Sequence, residues 1–109
     1  MLTAIFGNKV LEQILYYLVI NSDGYPRGIA AKLGVAVYSV QMQLKRLERD
    51  RIVLSRQVGR TRVYRISPVW PLKDELTALV EGAIKFQGRK EMNIKYSERR
   101  RPRRPGKPI

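Results

Sequence analysis

Cysteine and histidine are both absent from the 109 residues. Their absence excludes a disulfide framework and zinc sites built from thiolate and imidazole. It also removes histidine general acids and the Ser-His and Cys-His pairs of nucleophilic catalysis. Aromatic residues make up 8% of the chain, so there is no dense platform for stacking single-stranded bases. Long apolar runs are missing too. The longest, "ILYYLVI" at residues 14–20, is far short of the roughly 20 residues that span a bilayer. The opening "MLTAIFGNK" lacks the basic start and long apolar stretch of a secretory signal, so a cytoplasmic protein without a membrane association is expected.

Acids are scarce, nine against 22 bases. Glu12, Asp23, Glu48, Asp50, Asp74, Glu75, Glu81, Glu91 and Glu98 form no catalytic or metal-binding spacing beside a nucleophile or glycine-rich motif. Asp74 and Glu75 open a helical pattern, where attraction to the helix dipole accounts for them. No enzyme activity, metal or cofactor is expected.

What the chain has is positive charge, +13 in all, and it is clustered. Residues 36–65 hold eight bases against two acids, and residues 88–109 hold nine against two. Solubility does not require clustering, whereas a polyanionic partner does. The apolar fraction of 44% suffices for one modest core.

The periodicities give the elements. A short helix is expected in "LTAIF", packing Leu2, Ile5 and Phe6. Asn8 caps a helix through "NKVLEQILYYLVI" with Glu12 in its first turn and Leu11, Ile14, Leu15 and Leu18 on one face. Pro26 starts a second helix and Gly34 ends it. A third, from about residue 37 to 50, has the single stripe Val40, Leu44 and Leu47, joined by Val37. "IVLSRQ" and "TRVYRI" read as a hairpin turned at Gly59, with Tyr64 and Ile66 toward the core and Val63 and Arg65 away. A last amphipathic helix carries Leu72, Leu76, Leu79, Val80, Ala83 and Ile84 on or near one face, with Gly88 as its end. The expected division is a domain over residues 1–87 and a basic, flexible tail over residues 88–109. In that tail "SERRRPRRPGKPI" places five arginines among prolines. It is a candidate to lie along phosphates or in a minor groove.

"GIAAKLGVAVYSVQMQLKRLERDRIVLSRQVGRTRVYRI" resembles the winged helix-turn-helix of ArsR- and MarR-type bacterial and archaeal transcription regulators. Ala30, Gly34 and Val40 match the small residue, turn glycine and branched residue of the motif. "LKRLERDRIVLSR" and "GRTRVYRI" are similar to the family's passage into the wing. The likeness covers roughly residues 5–87. It implies a mainly α fold with a small β-hairpin wing, a nucleoid-associated location, and double-stranded DNA as the partner of a homodimer built on the C-terminal helix. Ala36 stands where Ser or Thr usually caps the recognition helix, and the Cys and His ligands of metal-sensing relatives are missing.

Such a fold places its second helix in the major groove. The candidate contacts there are Tyr38, Ser39, Gln41, Met42, Gln43, Lys45 and Arg46. The glutamines suit adenine, Tyr38 and Met42 suit thymine methyls or sugars, and Ser39 and Arg46 suit phosphates. The wing contributes Arg56, Arg60 and Arg62, for phosphate or the narrow minor groove. The alternative is a protein-binding adaptor or antitoxin-like module. The layout also resembles small winged-helix proteins found with nucleotidyltransferases.

Overall fold

The computed structural model describes residues 1–98, and the arginine-rich stretch that follows lies outside the described residues. Eight elements run in order: α1 (Thr3–Phe6), α2 (Lys9–Asn21), α3 (Pro26–Leu33), α4 (Val37–Arg49), β1 (Val53–Val58), β2 (Thr61–Ile66), α5 (Lys73–Gln87) and α6 (Arg89–Tyr96). Each start and stop has a local cause. The Asn8 side chain accepts the Leu11 N–H at 2.9 Å, which satisfies one of α2's orphan donors. Pro26 opens α3, and Gly34 closes it at φ 70°, where its N–H and that of Val35 both reach the Ala30 carbonyl. Ala36 gives α4 no side-chain cap, as its methyl requires.

The core gathers on α2. Ile14, Leu15 and Leu18 are buried against Ile29 of α3, Val40, Leu44 and Leu47 of α4, and Val80, Ala83 and Ile84 of α5. The two strands are antiparallel, with Val53 opposite Ile66, Ser55 opposite Tyr64 and Gln57 opposite Arg62. Gly59 supplies the positive φ, 62°, that a two-residue hairpin turn needs at its first position. Gly24 adds a single bridge to the free edge of β2, exchanging two backbone hydrogen bonds with Tyr64.

A polar hub ties the N-terminus to this core. Glu12 is only 4% exposed, and four donors converge on its carboxylate. They are the Thr3 hydroxyl, the Leu2 N–H at 2.8 Å, the Tyr16 hydroxyl at 2.6 Å and the Met1 ammonium at 3.0 Å. Burial pushes this carboxyl up, but the hydrogen bonds outweigh it and hold the group down at about 2. Burial first, and then the hydrogen bond to Glu12, push the Tyr16 phenol up to about 12. Gln87 of α5 completes the chain by donating to the Tyr16 oxygen at 3.0 Å. Its place in the first turn of α2 therefore accounts for the lesser part of what the Glu12 side chain does.

On α5, Val80, Ala83 and Ile84 are buried, whereas Leu79, and Leu72 just before the helix, are exposed, so the apolar face is wider than the core covers. Two expectations need correction. Ile5 does not pack: Leu2 is buried and Phe6 half-buried, but Ile5 faces outward. The chain also does not become a tail at Gly88. Residues 89–96 form α6, which buries Met92 and Tyr96, one helical turn apart.

α6 returns the chain to α2. The Tyr16 and Tyr96 rings lie 5.5 Å apart between centroids. Asn21, the last residue of α2, donates to the Tyr96 carbonyl at 2.9 Å and accepts the Glu98 N–H at 2.8 Å. The Tyr17 hydroxyl donates to the Glu98 carboxylate at 3.0 Å. Burial first, and then that carboxylate, raise the Tyr17 phenol.

Candidate nucleic-acid interface

The α4 helix sorts its side chains by helical spacing. Val40, Leu44 and Leu47 go inward, with Val37 half-buried beside them. Tyr38, Met42, Lys45 and Arg49 recur at intervals of four, three and four on the outward face. Tyr38 is 69% exposed, an unusual position for a large aromatic ring with no partner surface. Gln41 and Lys45 lie toward the wing, while Ser39, Gln43 and Arg46 share the opposite flank. Gln41, Lys45 and Arg46 are exposed and Ser39 is half-buried. Gln43 is half-buried as well, and its Oε1 is buried without a hydrogen-bond partner. Its amide is therefore not offered outward in the way Gln41's is.

The wing's face is set by strand register. Residues paired across the ladder share a face, so Val53, Ser55, Gln57, Arg62, Tyr64 and Ile66 point one way. Leu54, Arg56, Val58, Thr61, Val63 and Arg65 point the other. Tyr64 anchors the first face by burial. Burial, with the Glu48 carboxylate nearby, raises its phenol. A relay then locks this face to α4: Arg62 donates to the Ser55 Oγ at 2.9 Å, and Ser55 donates to Glu48 Oε2 at 2.6 Å.

The result is a cleft of about 370 Å³ between α4, the start of α3 and the wing. Gln41 and Lys45 of α4, Arg60 and Arg62 of the hairpin, and Tyr25 and Arg27 at the start of α3 line it. Four cations line it and no acid does, among the described residues. None of the four is in an ion pair there. Like charges held this close repel one another, and a polyanion relieves that repulsion.

Of the sequence candidates, the structure brings together Gln41, Lys45, Arg60 and Arg62. It does not bring Arg56 to them. Arg56 lies on the opposite ribbon face and shares a separate cleft with Arg65, the end of α2 and the start of α5. The parity of the strand separates it from Arg62. Tyr25 and Arg27 were not among the candidates. Arg27 is one of only three bases in the first 35 residues, and nothing local says that the wing folds back over it.

No protein-family model matches the sequence, and no curated protein matches it. Solved structures do match in three dimensions. Reduced HlyU from Vibrio cholerae is 20% identical, over 80% of this chain and 85% of its own, with a TM-score of 0.62. AF1382 from Archaeoglobus fulgidus is 22% identical over 80% and 96%, with a TM-score of 0.59. The transcriptional regulator Tm0710 from Thermotoga maritima is 22% identical over 85% and 72%, with a TM-score of 0.54. At these identities the likeness is one of fold, and the fold is the winged helix-turn-helix.

Proposed function

We propose that this protein is a DNA-binding transcriptional regulator. The observation that carries the reading is the acid-free cleft in which Lys45, Arg60, Arg62 and Arg27 converge beside the exposed face of α4. In the proposed complex α4 enters the major groove, with Tyr38, Gln41 and Met42 toward the bases and Lys45 toward the phosphates that seat in the cleft. The sugar-phosphate backbone that borders the groove seats between α4 and the wing. Arg60, at the hairpin tip, reaches phosphate or the adjoining minor groove. Ser39 and Arg46 serve the phosphates on the far flank, and Arg56 is left out of the first contact.

A homodimer fits the same reading. Leu72, the residue that leads into α5, and Leu79 and Phe86 within it stand seven residues apart, and all are exposed, Phe86 by 79%. That spacing is the seam of a helix packing against its like. Two copies joined there read a two-fold symmetric site. Winged-helix neighbours described as regulators support the class of function, Tm0710 among them. No helix among the described residues is long and apolar enough to cross a membrane.

Selection of bound sequences from a random duplex pool, at two salt concentrations, tests the proposal. The expected result is a palindromic site whose enrichment survives the higher salt. Enrichment of nothing, with co-purification of a protein partner instead, would replace it with the adaptor reading.

A further inference from the structure

We infer that Tyr25 is a further backbone contact of the proposed complex, its hydroxyl donating to a DNA phosphate, and that Gly28 positions its ring. This rests on the DNA reading above and adds a neutral contact to its cations.

The protein has six tyrosines, and Tyr16, Tyr17, Tyr64 and Tyr96 are buried. The Tyr16 and Tyr17 hydroxyls are spent on Glu12 and Glu98. Tyr25 is different. It is 45% exposed, and its hydroxyl has no hydrogen-bond partner among the described residues. It lines the cleft together with Arg27, Lys45, Arg60 and Arg62. A spare hydroxyl donor among unpaired cations suits a phosphate oxygen.

Tyr25 is also held in place. It is the N-cap residue of α3, and its carbonyl accepts the Ile29 N–H at 2.9 Å. The residue before it, Gly24, exchanges hydrogen bonds of 2.7 and 3.0 Å with Tyr64 of β2. The chain at this point is therefore tied both to α3 and to the wing. The ring itself lies against Gly28. A Cβ on Gly28 would come 2.9 Å from the ring carbons Cε1 and Cζ and 3.3 Å from the hydroxyl oxygen. Gly28 is the third residue of α3, and its φ is not positive, so the backbone does not require glycine. Within a helix alanine is the more favourable residue. What glycine provides at position 28 is room for the Tyr25 ring. A ring held there before binding loses little freedom when it meets a phosphate.

A neutral donor releases no counterion, so this contact strengthens binding without steepening its salt dependence. That separates it from the cations of the same cleft. The test measures duplex affinity across salt for the full chain, for Tyr25→Phe, for Gly28→Ala, for the two combined and for Lys45→Ala. Tyr25→Phe keeps the ring and removes the hydroxyl. It is expected to bind specific and unrelated duplexes about five- to tenfold more weakly, with the salt slope of the wild type. Gly28→Ala displaces the ring. It is expected to lose about as much affinity while its melting temperature stays level or rises. The combined variant is expected to bind within about twofold of Tyr25→Phe alone, because the ring's position matters only while the hydroxyl is there. Lys45→Ala is expected to flatten the slope by about 1. A Tyr25→Phe affinity equal to the wild type's would overturn the contact. Losses that multiply in the combined variant, or a Gly28→Ala protein that melts well below the wild type, would overturn the positioning role of Gly28. Either result leaves the α4–wing reading in place if Lys45→Ala still binds more weakly. A wild-type chain that binds no duplex would remove both.

Discussion

The two ends of the core treat charge in opposite ways. At the α1–α2 end one buried carboxylate, Glu12, collects four donors and is held far below the ordinary range. At the α4–wing end Lys45, Arg27 and Arg60 line one cleft without an acidic partner among the described residues. The first arrangement is complete in itself and contributes stability. The second is incomplete: mutual repulsion makes it slightly costly in the free protein, and it is repaid only by a polyanion. Charge that is finished internally belongs to the fold, and charge left unfinished in a shaped cleft belongs to a partner.

Mutation at the hub should break stability and spare binding. Glu12→Ala leaves the Leu2 N–H and the Tyr16 and Thr3 hydroxyls without their acceptor. Urea unfolding at pH 7 is expected to show a loss of about 3 kcal/mol. The folded protein is expected to bind duplex as the wild type does. A loss of affinity with no loss of stability would reverse the two regions' roles.

Acid gives the next largest effect. The Glu12 carboxyl ordinarily titrates near 4.5 and in the fold at about 2. Because the folded value is the lower, its contribution is fully present above pH 4.5 and fades as pH falls toward 2. The expected loss over that window is roughly 2–3 kcal/mol. The Glu12→Gln variant should lack that component of the acid sensitivity. A wild type and variant with parallel acid unfolding curves would show that the hub is not the responsible group.

Within the cationic regions the comparison can be sharpened by parity. Lys45→Ala is expected to weaken duplex binding about eightfold near 0.1 M salt, the effect of one phosphate contact. Its melting temperature should stay within about a degree or two, since no ion pair is lost. Arg56→Ala, on the other ribbon face, is expected to change affinity less than about twofold. Equal losses for the two, measured by titration, would mean that position on the wing does not matter.

Much of this was legible because its causes are local. The Asn8 cap, the turn at Gly34, the hairpin at Gly59 and the Val40–Leu44–Leu47 stripe each follow from residues a few positions apart. What was not legible depends on distant partners. The pattern of α5 says which residues share a face, but not which of them the core leaves uncovered. The α6 helix has only Met92 and Tyr96 buried among charged neighbours, so it reads as tail until Asn21 and Tyr16 are seen to receive it. Arg56 and Arg62 look equivalent in sequence, and only the register of β1 against β2 separates them. Glu12 looks like an ordinary first-turn acid because the chain preceding α2 must fold back before its donors are in place.

The central claim is that the unpaired cations between α4 and the wing neutralise DNA phosphates. Its most direct test is the salt dependence of duplex binding for the wild type and for Arg60→Ala combined with Arg62→Ala. The plot of log affinity against log salt is expected to flatten by about 2 on both specific and unrelated duplexes, with the fold intact by circular dichroism. A slope unchanged from the wild type's would contradict the account.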